Sequence, residues 1–134
     1  MVLLFPGEDL LLHRETREIP ELPPTPEAQA RVVLQELLSG PRSPLAPVVW
    51  WPAEVQEVFH DGRGNFYVSL SAPPPGSLGS EAELSLQAAV ATTLALNLKQ
   101  VQRVQLLFGG KEVPTLGHVD FSRPTRPRWE LVAP

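Results

Sequence analysis

The stretch at residues 80–98, "SEAELSLQAAVATTLALNL", decides how this chain must fold. From Leu84 to Leu98 it holds no charged residue. Leu86, Val90 and Leu94 make one stripe at helical spacing, and Leu84, Ala88, Ala91, Ala95 and Leu98 make a second. A helix that is apolar nearly all round has to be covered on more than one side. Ser80, followed three residues later by Glu83, has the pattern of a capping box at the helix start. Two arrangements satisfy the stripes. Either the helix is buried between a sheet and another helix, or a sheet covers one side only. In the second case Leu84, Ala88, Ala91 and Ala95 form an interface for another copy or another protein.

The neighbouring segments supply the covering layers. Downstream, "VQRVQLLF" at 101–108 reads as a strand, turned by Gly109-Gly110-Lys111, with Val113 starting a short return. Upstream, "EVQEVFHDGRGNFYVSLS" reads as a hairpin of strands 55–60 and 65–71 around Asp61-Gly62-Arg63-Gly64. In its second strand Phe66, Val68 and Leu70 alternate with Tyr67, Ser69 and Ser71, which marks one buried face. Before the hairpin lies "TPEAQARVVLQELLSGP". Thr25 is suited to cap a helix, Pro26 to open it and Glu27 to complement its dipole, while Gly40-Pro41 stops it. The spacing predicts a helix over 26–39 with Val33, Leu34, Leu37 and Leu38 on its apolar face. At the N-terminus Val2–Phe5 reads as a buried strand ended by Pro6-Gly7, with Leu10–Leu12 and Arg17–Ile19 as short edge pieces. The order predicts an α+β fold, with two helices packed on one face of a mainly antiparallel sheet. Residues 1–124 form the expected domain. Residues 125–134 form a proline-rich C-terminal tail running extended along the surface, pinned by Trp129 and Leu131.

Composition narrows the class of function. The 134 residues hold 16 prolines, more than twice the usual share of about 5%. The prolines cluster outside 27–40 and 76–113, where regular structure is expected. A net charge of −4 without a basic run argues against a nucleic-acid binder. The chain has no cysteine, so disulfides, thiolate catalysis and Cys-based zinc sites are excluded. No segment reaches the roughly 18 to 20 apolar residues of a membrane span, and "MVLLFPGEDLLLH" lacks the basic start of a signal peptide. That leaves a cytoplasmic protein or one whose export signal has been removed.

The candidate sites are few. His118 and Asp120 in "GGKEVPTLGHVDFSRP" (109–124) share a face of an extended segment and are the pair a small hydrolase would use. A metal site wants three or more ligands, and His13 and His60 stand outside any ligand-spaced cluster. No phosphate-binding glycine pattern and no nucleophile-elbow motif is present. Neither a metal nor a cofactor is therefore expected. The simpler role for Asp120 is to cap backbone N–H groups near Ser122. Trp50-Trp51 face opposite ways in an extended segment. An exposed Trp there is a stacking platform for a sugar ring or a contact for a protein.

Taken in order, "LLFPGEDLLL", "TPEAQARVVLQELLSGP", "FYVSLS" and "GSEAELSLQAAVATTLALNLKQVQRVQLLFGGKEVPTLGHVDFSRP" resemble the GerMN domain of sporulation and germination proteins over roughly residues 2–124. The most specific piece combines Thr93-Leu94, the strand 101–108, Gly110-Lys111 and the close at 115–124. The resemblance implies a fold similar to ring-building modules and a non-enzymatic module of the bacterial cell envelope. It also implies protein partners, self-association among them, and an extracytoplasmic location. It brings no catalytic residues. The expectation is a protein-interaction or assembly module, with a peptidoglycan-binding module using Trp50 or Trp51 as the alternative and a hydrolase as the least favoured reading.

Overall fold

A computed structural model describes residues 1–18, 21–76 and 79–134. It contains two hairpin-like strand pairs, two helices and one parallel crossover. Strands β1 (Val2–Pro6) and β2 (Leu12–Thr16) pair antiparallel as a sheet of their own. Helix α1 (Pro26–Leu38) follows, then strands β3 (Val55–His60) and β4 (Asn65–Leu70), helix α2 (Ser80–Asn97) and strand β5 (Arg103–Phe108). The second sheet runs β3-β4-β5. The β3–β4 pair is antiparallel because a short turn joins them, and β4–β5 is parallel because α2 carries the chain back across the sheet. The α+β class and the mostly antiparallel pairing are as expected. The strands divide between two sheets, where one continuous layer was expected.

Local chemistry accounts for several elements. The Thr25 hydroxyl accepts from the Ala28 N–H at 3.2 Å and caps α1, with Pro26 inside the first turn. Ala30, Val33, Leu34 and Leu37 form its buried stripe. In the β3–β4 turn the Asp61 carboxylate accepts from the N–H groups of Arg63 and Asn65, at 2.7 and 3.1 Å. Gly64 there has φ +89°, and a side chain would strike Gln102 at 2.8 Å, so only glycine fits. Phe66, Val68 and Leu70 are fully buried, as their alternation predicts.

The first hairpin departs from expectation. Its second strand is Leu12–Thr16, between the two short edge pieces foreseen at 10–12 and 17–19. Ile19, at the end of the second piece, lies outside the described residues. "LHRET" looks like a loop because its charged side chains hide the alternation. Only Leu12 faces the core, while Arg14 reaches the Ala133 carbonyl at 2.9 Å.

Helix α2 is the centre of the molecule. Leu86 and every residue from Ala88 to Leu94 are buried. Ala88 and Ala91 are therefore core residues and form no interaction surface, while Leu84 and Ala95 are half-buried. β1, α1 and β5 each pack against the helix, and the C-terminal segment reaches it as well. The uncharged polar residues on α2 hydrogen-bond the backbone of those neighbours. Thr93 Oγ1 accepts from Leu4 N, and the Asn97 side chain accepts from Val2 N at 3.0 Å and donates to Val2 O at 2.7 Å. Together they satisfy part of the outer edge of β1. Thr92 Oγ1 accepts from Arg128 N at 2.8 Å, and Gln87 Nε2 donates to Asp120 O at 2.8 Å.

Residues 125–134 are woven into the fold. Thr125 bridges Val104 of β5 antiparallel, and Val132 bridges Leu12 of β2 in parallel. Ala133 N donates to Leu12 O at 2.8 Å. Trp129 and Leu131 sit in a single 3-10 turn. Leu131 packs on the core and Trp129 is 52% exposed.

A second knot ties β2 to the end of α1. The Arg17 guanidinium, almost wholly buried, donates to the Glu15 and Glu36 carboxylates and to the Glu36 and Gly40 carbonyls. Glu15 also accepts from Ser43 Oγ and from the N–H groups of Arg42 and Ser43. Desolvation pushes the Glu15 carboxyl upward, but these donors, Ser43 and Arg17 foremost, outweigh it and hold it down at about 2. An unfolded glutamate titrates near 4.5, so the unfolded chain takes up this proton first. The stabilisation is whole above that value and is lost as pH falls toward 2. Thermal melts across this range should show a steep acid fall in Tm, and Glu15→Gln should flatten that part of the profile while lowering Tm at neutral pH.

Candidate functional site

The loop after β5 was the first place to look for chemistry. Gly109 and Gly110, at φ +62° and +77°, turn the chain, and Gly110 N donates to Ser69 Oγ at 2.8 Å. A Thr115–Asp120 bridge closes the next turn, with Gly117 at φ +141°. His118 and Asp120 then engage different partners. Asp120 Oδ1 accepts from Ser122 N at 2.8 Å and Ser122 Oγ at 2.5 Å, with Arg123 at 3.7 Å. The Ser122 hydroxyl bond, then its N–H, hold the Asp120 carboxyl below its ordinary range. This is the capping role expected of Asp120.

His118 instead meets Glu83, a residue first read as part of a helix cap. The Glu83 side chain is wholly buried, and the His118 ring is about half exposed. Glu83 Oε1 accepts from His118 N at 3.0 Å and Val119 N at 3.1 Å, and Oε2 lies 2.9 Å from His118 Nδ1. The expected capping box does not form. Gly79 is the N-cap of α2, no side chain caps that end, and Ser80 falls at the first helical position. Gly79 adopts φ +109°, which starts the helix one residue earlier than the serine pattern suggests. One turn in, Glu83 points at the 118–119 loop. A carboxylate holding an imidazole resembles the orienting pair of a hydrolase. Here it also takes two successive backbone N–H groups, so the arrangement clamps the loop to α2.

The other histidines lie apart. His13 pairs with Asp9 at 2.8 Å and His60 with Glu27 at 3.7 Å. Among the described residues no three of His, Cys, Asp and Glu converge in a way that would hold a metal ion.

Trp50 and Trp51 do face different ways. Trp51 is 9% exposed; its Nε1 donates to Ser71 O at 3.0 Å and its ring lies 6.3 Å from that of Phe108. It is a core residue and not a stacking platform. Trp50 packs edge-on against it at 4.9 Å and remains half-buried. Trp50 lines an apolar cleft of about 390 Å³ with Pro6, Leu10, Pro47, Val49 and Ala82. Leu10 is 65% exposed and is the single non-glycine residue at positive φ, +66°, among the described residues. A leucine held there carries backbone strain. Sequence reasoning missed it because Leu10 reads as the start of the apolar run 10–12. The signal was the turn-forming "GED" just before it.

This architecture is that of a known domain. A family model described as "Germane: Sporulation and spore germination" matches residues 3–114, and the chain belongs to this family. Among solved structures it is similar to a provisionally assigned lipoprotein of Clostridium perfringens, with TM-score 0.67, 17% identity and coverage of 94% of this chain and 85% of the other. It is also similar to the tandem GerMN domains of the sporulation protein GerM from Bacillus subtilis, with TM-score 0.63 and 15% identity. That match covers 94% of this chain and 46% of the tandem. The first GerMN domain of GerM gives TM-score 0.60 and 14% identity, covering 97% of this chain and 98% of the other. The chain thus corresponds to one GerMN unit. No curated protein sequence matches it.

Removing the Glu83 carboxylate should leave the part-buried N–H groups of His118 and Val119 without that acceptor. Glu83→Ala is expected to cost about 2–3 kcal/mol in urea unfolding and to raise amide exchange at His118 and Val119. His118→Ala, which leaves the backbone clamp in place, should cost clearly less.

Proposed function

We propose that this domain is a non-catalytic assembly module of the bacterial cell envelope that docks protein through the Leu10–Trp50 cleft. The carrying observation is Leu10 itself, an exposed apolar side chain held at a strained backbone angle beside a half-buried tryptophan. Strain retained on the surface is explained when the displayed side chain is used, and aromatic and apolar anchors in a shallow cleft are typical centres of protein interfaces. Family membership supports the reading, since GerM joins two such domains in one chain. Another GerMN-type surface, including a second copy of this one, is therefore the favoured partner. The lipoprotein from C. perfringens and the sporulation protein GerM support the envelope location. Among the described residues no helix is long and apolar enough to cross a membrane.

The buried ring of Trp51 argues against peptidoglycan binding at the tandem tryptophans. His118 and Asp120 bond different partners, which argues against a hydrolase built on that pair.

Sedimentation of the purified chain should give a mass above 14.7 kDa as concentration rises. Leu10→Asp should return it to that mass with its melting temperature little changed. A native chain that remains at the monomer mass up to roughly millimolar concentration rejects self-docking through this cleft.

A further inference from the structure

A second cleft, of about 450 Å³, lies between the C-terminal end of α2, the start of β5 and the C-terminal segment. It shares no lining residue with the Leu10 cleft. Its polar and aromatic groups are Gln102, Arg103, Arg126 and Trp129, with Ala95 and Pro127 beside them. Most arginines of the chain are engaged: Arg14, Arg17 and Arg31 by backbone carbonyls, Arg123 by Asp120 and Arg128 by Glu130. Among the described residues neither the Arg103 nor the Arg126 guanidinium makes a hydrogen bond or ion pair, although Arg103 is half-buried. The exposed Arg42 and Arg63 guanidinium groups are also unpaired among the described residues, but Arg103 and Arg126 are the unpaired ones that line this cleft together. The nearby carboxylate of Glu130 is taken by Arg128. In a chain of net charge −4 this is a local inversion of sign.

The walls are fixed. Thr125 and Val104 exchange both backbone hydrogen bonds at 2.9 Å, and Arg128 N is held by Thr92 of α2. Arg126, Pro127 and Trp129 are therefore presented on anchored backbone, and Trp129 stands 52% exposed at the rim. The volume is in the range of small-ligand sites and is preformed. Its lining mixes Ala95, Val101, Pro127 and Trp129 with Gln102, Arg103 and Arg126, and is more polar than that of the Leu10 cleft. Unpaired planar guanidinium groups recognise carboxylate or phosphate oxygens. An exposed indole offers a flat apolar face with a donor at its edge.

We infer that the Arg103–Arg126–Trp129 cleft binds an acidic saccharide, the guanidinium groups holding its carboxylate or phosphate and Trp129 stacking on the sugar ring. The site is independent of the protein-docking reading. Titration calorimetry on the whole chain tests it with three probes: the disaccharide N-acetylglucosamine–N-acetylmuramic acid, N-acetylglucosamine 1-phosphate, and neutral di-N-acetylchitobiose. At least one acidic sugar should bind about tenfold or more tightly than chitobiose, and its identity tells carboxylate from phosphate. Raising salt should weaken that binding. Arg103→Ala/Arg126→Ala and Trp129→Ala should each weaken it by about tenfold or more. Both alter exposed or half-exposed positions and should keep the native circular dichroism spectrum, and Arg103→Lys provides a milder variant. Leu10→Asp should leave it unchanged, which separates this site from the other cleft. The inference is overturned if neither acidic sugar binds at roughly millimolar concentration, if chitobiose binds equally well, or if the arginine and tryptophan variants bind like the native chain.

Discussion

The fold depends on a helix that has no fully exposed residue from Ala82 to Ala95. With Ala88 to Leu94 all buried, α2 cannot carry charge there, since an unpaired ion in that setting would cost several kcal/mol. It still has to satisfy the backbone edges that meet it. Thr92, Thr93, Asn97 and Gln87 do this with neutral donors and acceptors, each bound to a different partner. The helix therefore fixes the position of β1, of the loop after β5 and of the C-terminal segment at the same time. The alanines at 88, 89 and 91 leave room for those segments to approach closely.

Where information is local, the sequence was legible. Thr25-Pro26 at the start of α1, the Asp61–Gly64 turn and the alternation of Phe66, Val68 and Leu70 each act over a few residues, and each appears in the structure as read. Misreadings arose where a distant segment decides the outcome. Ala88 and Ala91 look available for a partner until the C-terminal segment is seen to reach α2, and no periodicity reports that contact. β2 was misplaced because the charged residues in it and just after it are held by partners far along the chain, Arg14 by Ala133 and Arg17 by the end of α1. Ser80 and Glu83 have the spacing of a cap, yet Glu83 is claimed by a loop more than thirty residues away. Of the two tryptophans, Trp51 is shown to be core by its burial and by its contacts with Ser71 and Phe108, both distant in the chain.

The loop that carries the most specific family resemblance proves to be held by an ionisable group on α2. Glu83 gathers the N–H groups of His118 and Val119, while Asp120 ties the chain onward to Ser122. A histidine of the loop held by a helix carboxylate, with Asp120 two residues on, invites a catalytic reading. Their hydrogen bonds run to backbone and to neighbouring side chains, which gives them a definite structural task. The two clefts lie elsewhere, one built on a strained turn in the first hairpin and one on the segment that crosses the end of α2.

That crossing segment gives the domain a latch. Its grip on β5 through Thr125, on α2 through Arg128 and on β2 through Val132 and Ala133 consists of short bridges spaced along the chain. A pull applied at residue 134 would meet them one after another, as in opening a zipper, before any load reached the buried helix. A molecule fastened in this way yields at its periphery first, keeping its interior intact while the rim with Trp129 is drawn aside.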